Sequence, residues 1–120
     1  MRGIDVKIII PGIPDKKIPY ALAKTHFKAL LKAGVKIYTY TPGFVHAKVF
    51  VCDDEKAVVG SINCDYRSLY HNFECATYMY HTDCISDIEK DFRENCEFLK
   101  GCGAKRIGAS EQSYSIQGKL

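Results

Sequence analysis

Hydrophobic and polar positions divide the first third of the chain into two strands and a helix. An apolar run rich in isoleucine and valine, residues 4–11, predicts a central strand buried on both faces. Apolar residues then recur at helical spacing over residues 20–33, and Gly34 follows where a C-terminal helix cap belongs. Residues 35–40 predict a second strand. Because the links between these elements are short, the two strands are expected to pair in parallel across the helix.

The rest of the pattern predicts a hairpin, a further strand and a long helix. In chain order we expect a strand over residues 46–53, a turn over 54–56, a hairpin partner over 57–62, an irregular polar stretch over 63–72, a strand over 73–80 and an amphipathic helix over 83–100. Together these elements predict an α/β fold with a mixed β-sheet flanked by helices.

The length of 120 residues suits one domain, which we place at residues 1–100. The last stretch, 101–120, is small, polar and without period, and we expect a flexible tail there. The chain enters a buried strand almost at once, as a fragment of a larger protein would. No apolar run approaches the roughly 20 residues that span a bilayer, so no transmembrane segment is predicted.

Net charge and cysteine content bear on which partners, metal sites and disulfides the chain can have. The net charge of +3 is mild and dispersed, so it permits an anionic partner without demanding one, and no nucleic-acid partner is expected. None of the six cysteines forms a C-x-x-C pair, which argues against a zinc site. The even count leaves disulfides open, but cysteines at apolar positions of strands and helices favour free, buried or half-buried thiols of a reducing compartment.

His46 and Lys48 are the first candidates for chemistry. Side chains alternate along a strand, so these two would share a face, about 7 Å apart along it. Lysine supplies fixed positive charge and histidine a nitrogen that attacks or moves a proton near neutral pH, which makes an anion site. Asp53 has the opposite parity, which favours a turn or supporting role. The simpler interpretation is a structural histidine beside a lysine that keeps an edge strand soluble.

Three further side chains complete the candidate site. The predicted turn returns Ser61 and Asn63 toward the His46 end of the hairpin, where a hydroxyl and an amide can donate to phosphate oxygens. Glu74, at the start of the next predicted strand, is the candidate acceptor for the second ring nitrogen of His46. The remaining histidines, His26, His71 and His81, are interpreted as non-catalytic.

The joint spacing H-x-K-x4-D-x6-G-S-x-N resembles the HKD motif of the phospholipase D superfamily. His46, Lys48, Asp53, Gly60, Ser61 and Asn63 meet it. The flanking sequences "IIIPGIPDKK", "LLKAGVKIYTYTPGFVHAKVFV" and "AVVGSINCDYRSLYHNFE" are similar to the C-terminal half of bacterial cardiolipin synthases, and the resemblance covers about residues 2–100. It implies a phospholipase D-like half-domain, since members carry two such motifs, in two halves of one chain or on two subunits.

The resemblance also implies an enzyme and its chemistry. A phosphatidyl group would pass between two phosphatidylglycerols through a phosphohistidine, with release of glycerol. His46 would be one of the two catalytic histidines, as nucleophile or, the role we favour, as general acid and base. Lys48 and Asn63 would bind phosphoryl oxygens, Ser61 would support them and Glu74 would hold the His46 ring. Asp53 belongs to the catalytic motif with a mainly structural role.

The implied setting is a bacterial cell membrane in the full-length parent, with phosphatidylglycerol as substrate and no metal or other cofactor. The second motif would come from an N-terminal half or a second copy, and a fragment with one motif is expected to be inactive alone. Two alternatives stay open. One is a phospholipase D-type phosphodiesterase or nuclease that acts as a homodimer, and the other is a non-catalytic binding module that retains the motif.

Overall fold

The computed structural model describes residues 3–14 and 16–101. In chain order its elements are β1 (Lys7–Pro11), α1 (Lys17–Lys32), β2 (Lys36–Tyr40), β3 (Val49–Cys52), β4 (Lys56–Gly60), α2 (Tyr66–Tyr70), β5 (Ala76–Tyr80) and α3 (Cys84–Gly101). The strands pair in both parallel and antiparallel fashion, and helices lie between several of them along the chain, which confirms the predicted α/β class. None of the helices in this described part is long and apolar enough to cross a membrane.

The described chain divides into two compact units, residues 3–45 with 98–101 and residues 46–97. The predicted domain at 1–100 and the tail at 101–120 remain predictions, since all but the first residue of that tail lies outside the described residues.

In the first unit, β1 and β2 pair in parallel across α1, as the sequence predicted. The helix ends in a pair of backbone bonds, from the Gly34 N–H to the Leu31 carbonyl and from the Val35 N–H to the Leu30 carbonyl, both 3.0 Å. This is the Schellman pattern, and Gly34 takes the left-handed φ of 88° that it requires. The predicted burial of β1 on both faces is wrong, because this strand is only half-buried and pairs with β2 alone in the described chain.

In the second unit, β3, β4 and β5 form an antiparallel sheet. The hairpin between β3 and β4 turns through Asp53 and Asp54, with φ values of 53° and 56°. Two successive positive φ values belong to the turn type that matches the twist of a hairpin, and aspartate tolerates them better than most residues. Ala57 of β4 is buried between its register partners Val51 and Met79, which marks the inward face of the sheet.

Two details of the predicted architecture need correction. The predicted single mixed sheet is divided, among the described residues, into a parallel pair and a separate antiparallel sheet. Strands β1 and β2 pair on either side of α1, and strands β3 and β4 pair across a tight turn. The stretch predicted to be irregular also contains α2, a single turn of helix whose start is capped by the Asp65 side chain, which accepts the Ser68 N–H at 2.8 Å. A helix of five residues is too short to produce a periodic pattern.

The cysteines are partly as predicted. Of the five in the described residues all are free thiols, but only Cys96 is buried; the exposed ones are Cys52, Cys64, Cys75 and Cys84. Their apolar sequence neighbours predicted burial, but these four positions face outward or lie in connecting segments. Cys102 lies outside the described residues.

Candidate active site

His46 and Lys48 lie directly before β3, which begins at Val49 rather than at the predicted residue 46. Their side chains nevertheless meet on one side, as the alternation predicted. The Lys48 Nζ is 2.8 Å from the His46 Nδ1 and donates to the His46 carbonyl at 2.6 Å. An ammonium only donates, so Nδ1 accepts in this contact and the proton of a neutral ring sits on Nε2.

The hairpin of β3 and β4 also brings Ser61, the residue that follows β4, to the His46 end of the sheet. Val49 pairs with Val59, and the Gly60 N–H donates to the Lys48 carbonyl at 3.2 Å, so the residues after β4 lie beside those before β3. Ser61 is the first residue after β4, and its N–H donates to the Cys75 carbonyl at 2.9 Å. The ladder therefore fixes where the Ser61 hydroxyl lies relative to Lys48.

Ser61 and Glu74 are joined by a direct hydrogen bond between their side chains. The Ser61 Oγ donates to the Glu74 Oε2 at 2.5 Å and accepts the Cys75 N–H at 3.0 Å. The other carboxylate oxygen, Oε1, accepts the Asn72 Nδ2 at 3.2 Å. Both oxygens of Glu74 are thus held by donors that come from different segments of the chain.

These contacts lower the pKa of Glu74. The Ser61 hydroxyl contributes most to a pKa below the ordinary glutamate value, followed by Ser68, Asn72 and the positive charge of Lys48, which together outweigh the opposing effect of desolvation. Ser68 is buried, and its Oγ lies near enough to act on the carboxylate although no partner meets it at full hydrogen-bond geometry. A carboxylate that is charged at neutral pH suits the predicted role of acceptor for an imidazole N–H.

The remaining predicted residues are less closely joined to this cluster. Asn63 follows Ser61 by two residues and is exposed before α2. Asp53 lies in the hairpin turn, at the opposite end of β3 from His46, where its Oδ2 accepts the Cys52 thiol at 3.3 Å. This position agrees with the turn role that its parity predicted and does not bring it to His46 and Lys48. The contact between Glu74 and the His46 ring stays a prediction.

The site contains two side chains that the sequence reasoning missed, Ser68 and Asn72. Both lie in the stretch that was predicted to be irregular, so neither had a predicted direction. The available signal was the spacing of Asn72, two residues before Glu74, which places an amide donor within reach of the carboxylate. No group of three or more potential metal ligands occurs among residues 3–14 and 16–101. The cluster offers an imidazole, an ammonium, a hydroxyl and a carboxylate at one end of the antiparallel sheet.

The chain is similar to known proteins both in fold and in sequence. The crystal structure of Nuc, a phospholipase D family member from Salmonella typhimurium, matches with a TM-score of 0.68 over 80% of this chain and 62% of that chain. At 20% sequence identity, this likeness shows the phospholipase D fold alone. The family model described as cardiolipin synthase, PLD-like domain, matches residues 1–96. The chain therefore belongs to the family of cardiolipin synthase phospholipase D-like domains.

Curated relatives agree with this family. A protein of Streptococcus mutans described as uncharacterized is 76% identical over 93 residues, which are 78% of this chain and 20% of that protein. The cardiolipin synthase of Geobacillus kaustophilus is 46% identical over 95 residues, 79% of this chain and 19% of that enzyme. Cardiolipin synthase 2 of Bacillus anthracis is 41% identical over 97 residues, 81% of this chain and 19% of that enzyme. The family thus includes enzymes, and the chain spans about a fifth of the length of these relatives.

Proposed function

We propose that this chain is the C-terminal catalytic half of a cardiolipin synthase, which transfers a phosphatidyl group between two phosphatidylglycerols and releases glycerol. The observation that carries the proposal is the gathering of His46, Lys48, Ser61 and Glu74 at one end of the hairpin. The match of residues 1–96 to a family described as cardiolipin synthase, PLD-like domain, supports a phospholipid substrate. In this proposal the full-length parent works at a bacterial cell membrane.

The reaction needs two histidines. One attacks the phosphorus of the first phosphatidylglycerol, the bond from phosphorus to the head-group glycerol oxygen breaks, and the other histidine protonates that oxygen. The hydroxyl of the second phosphatidylglycerol then gives its proton to this second histidine, and its oxygen displaces the first histidine from phosphorus. Two phosphatidylglycerols thus yield one cardiolipin and one glycerol. His46 is one histidine of the pair, and we favour the acid and base role for it.

The surrounding groups neutralise charge and orient His46. A phosphodiester is anionic and resists attack, so donors aimed at its oxygens lower the barrier. The Lys48 ammonium serves this purpose, and in the unliganded arrangement it rests on the His46 Nδ1. A phosphoryl oxygen carries more negative charge than a neutral ring nitrogen, so substrate draws Lys48 away and frees Nδ1. Glu74, whose carboxylate accepts the Ser61 hydroxyl, then accepts the His46 N–H, and the Asn63 amide donates to the phosphoryl group.

The second histidine comes from another HKD motif, because the 120 residues contain one such motif. Its source in this proposal is the N-terminal half of the parent enzyme or a second copy of this chain. To test this proposal, this chain is combined with the matching N-terminal half on vesicles of phosphatidylglycerol, and cardiolipin and glycerol are measured together. Equal amounts of the two products are expected, and neither half alone should form them. Glycerol with phosphatidic acid in place of cardiolipin would show a hydrolase and overturn the transferase assignment.

A phosphodiesterase or nuclease that acts as a homodimer is the second candidate. It is supported by the fold likeness to Nuc, a chain of the same superfamily of which this chain covers 62%. The isolated chain would then cleave bis(p-nitrophenyl) phosphate or single-stranded DNA as a dimer, with DNA binding that weakens steeply with salt. The mild and dispersed net charge of +3 disfavours it.

Replacing Ser61 by alanine tests the support of Glu74. The Oγ that donates to the carboxylate is lost, so the pKa of Glu74 rises and the acid side of the pH–activity profile moves to higher pH. The rate of cardiolipin formation at neutral pH is expected to fall on the order of ten-fold or more, as for the loss of a charge-assisted hydrogen bond. Ser86→Ala is the control, because that hydroxyl donates to the Asp83 carbonyl at the start of α3. An unchanged profile in Ser61→Ala would contradict the role of Ser61.

A further inference from the structure

The Glu74 carboxylate is held on two sides, and the proposed function uses only one of them. Ser61 binds Oε2 from the end of β4, whereas Asn72 binds Oε1 from the turn after α2. A carboxylate bound through one oxygen can still rotate about its last side-chain bond, because this torsion is broad. A second donor on the other oxygen removes that freedom and fixes the plane in which Glu74 can accept.

Asn72 is itself well anchored. Its backbone N–H donates to the Arg67 carbonyl at 2.8 Å, and the neighbouring His71 N–H donates to the same carbonyl at 2.9 Å. At the other end of α2 the Asp65 carboxylate caps the helix through the Ser68 N–H. The turn that carries Asn72 is therefore tied to α2 through the Arg67 carbonyl, and the helix itself is capped at its start.

Ser68, on the same segment, is 6% exposed, and its Oγ has no hydrogen-bond partner among the described residues. Its hydroxyl contributes to the lowered pKa of Glu74, so it lies near the carboxylate without a formed hydrogen bond to it. The segment that connects β4 with β5 therefore contributes Asn72 as a direct donor to Glu74.

We propose that Asn72 is a positioning residue for Glu74, which fixes the plane of the carboxylate through Oε1 so that it can accept the His46 ring N–H. This inference rests on the proposed function, in which Glu74 orients His46. Asn72 touches neither substrate nor reacting atoms in this role. Its effect reaches the reaction through the charge and orientation of Glu74.

The direct test follows Glu74 itself by carboxyl ¹³C NMR titration of this chain. In Asn72→Ala the lost donor raises the pKa of Glu74, and in Asn72→Asp a like charge beside the carboxylate raises it further, while the shape of the side chain is kept. Asn95→Ala is the matched control, because its amide donates to the Asp91 carbonyl on α3 at 2.8 Å. This control should leave the titration of Glu74 where it is in the unmodified chain.

The second measurement uses the active complex with the N-terminal half. For Asn72→Ala we expect the acid side of the pH–activity profile to move to higher pH, kcat to fall on the order of ten-fold, and KM for phosphatidylglycerol to change less than about two-fold. A merely structural role would lower the thermal midpoint and leave the titration of Glu74 unchanged, and this result would overturn the inference. If Asn72→Ala fails to fold, Asn72→Asp decides in the same way.

The two proposals fail in different ways. The NMR titration needs no catalysis, so an unmodified complex that forms no cardiolipin would refute the proposed function and leave the titration of Glu74 to decide whether Asn72 holds it. Conversely, an active complex in which neither Asn72 variant moves the Glu74 titration or the pH profile would refute the role of Asn72 alone.

Discussion

We expect His46→Asn to abolish the cardiolipin formation proposed for the complex of the two halves. Without the imidazole, the phosphoryl group lacks either its nucleophile or the acid that protonates the departing glycerol. Removal of one member of a catalytic unit costs on the order of 10⁴-fold or more in rate. The measurement is the initial rate of cardiolipin release from phosphatidylglycerol vesicles.

His26→Asn is the matched control for this experiment. His26 is exposed on α1, in the other compact unit of the chain, and we expect its replacement to change the rate less than about two-fold. His46 is also exposed, so its replacement should leave the thermal midpoint nearly unchanged. A His46→Asn complex that retains more than a few per cent of the rate would exclude His46 from the reaction.

The same variant separates the two roles left open for His46. A phosphodiester with a p-nitrophenolate leaving group needs no proton on the departing oxygen. If His46 is the acid, His46→Asn still releases p-nitrophenolate from such a substrate and accumulates a phosphohistidine on the other half. If His46 is the nucleophile, release is lost with this substrate as well, and no labelled phosphoryl group is retained on the remaining histidine.

Local rules were enough to predict most of the helices and strands and the proximity of several candidate site residues. The period-2 alternation placed His46 and Lys48 on one side, and this holds although both precede the strand, because the extended backbone keeps the same alternation. The polar residues predicted the hairpin turn at 54–56, one residue later than the turn that the structure has at Asp53 and Asp54, and the parity of Asp53 favoured a turn or supporting role for it. The return of Ser61 to the His46 end followed from the hairpin alone.

The features that were missed depend on contacts that no local pattern records. Asn72 faces Glu74 only because a side-chain cap at Asp65 nucleates α2 in a stretch that reads as a polar loop. The division of the strands between two sheets depends on which strand edges pair, a long-range choice that strand propensity does not contain. For the same reason, apolar neighbours did not predict the exposure of the cysteines.

Gly60→Ala is expected to damage both stability and activity. A Cβ built on Gly60 would lie 2.3 Å from the Cys75 carbonyl oxygen and 2.5 Å from the Ala76 Cα. These are backbone atoms of the paired strand and cannot move aside as a flexible side chain does. The ladder between β4 and β5 must therefore open where Gly60 pairs with Ala76. Overpacking of this kind costs about 1–3 kcal/mol or more in the free energy of unfolding.

Activity is expected to fall for a separate reason. Ser61 follows Gly60 directly and Glu74 lies two residues before Ala76, so opening the ladder at Gly60 and Ala76 would also separate Ser61 from Glu74. Gly43→Ala is the control, since a Cβ there meets no atom within 4 Å and the φ of Gly43 is not positive. Chemical denaturation should show the loss of stability for Gly60→Ala, and the Gly43 variant should match the unmodified chain or exceed it slightly. A Gly60→Ala chain with unmodified stability and unmodified cardiolipin formation would mean that β4 and β5 do not approach as closely as the site requires.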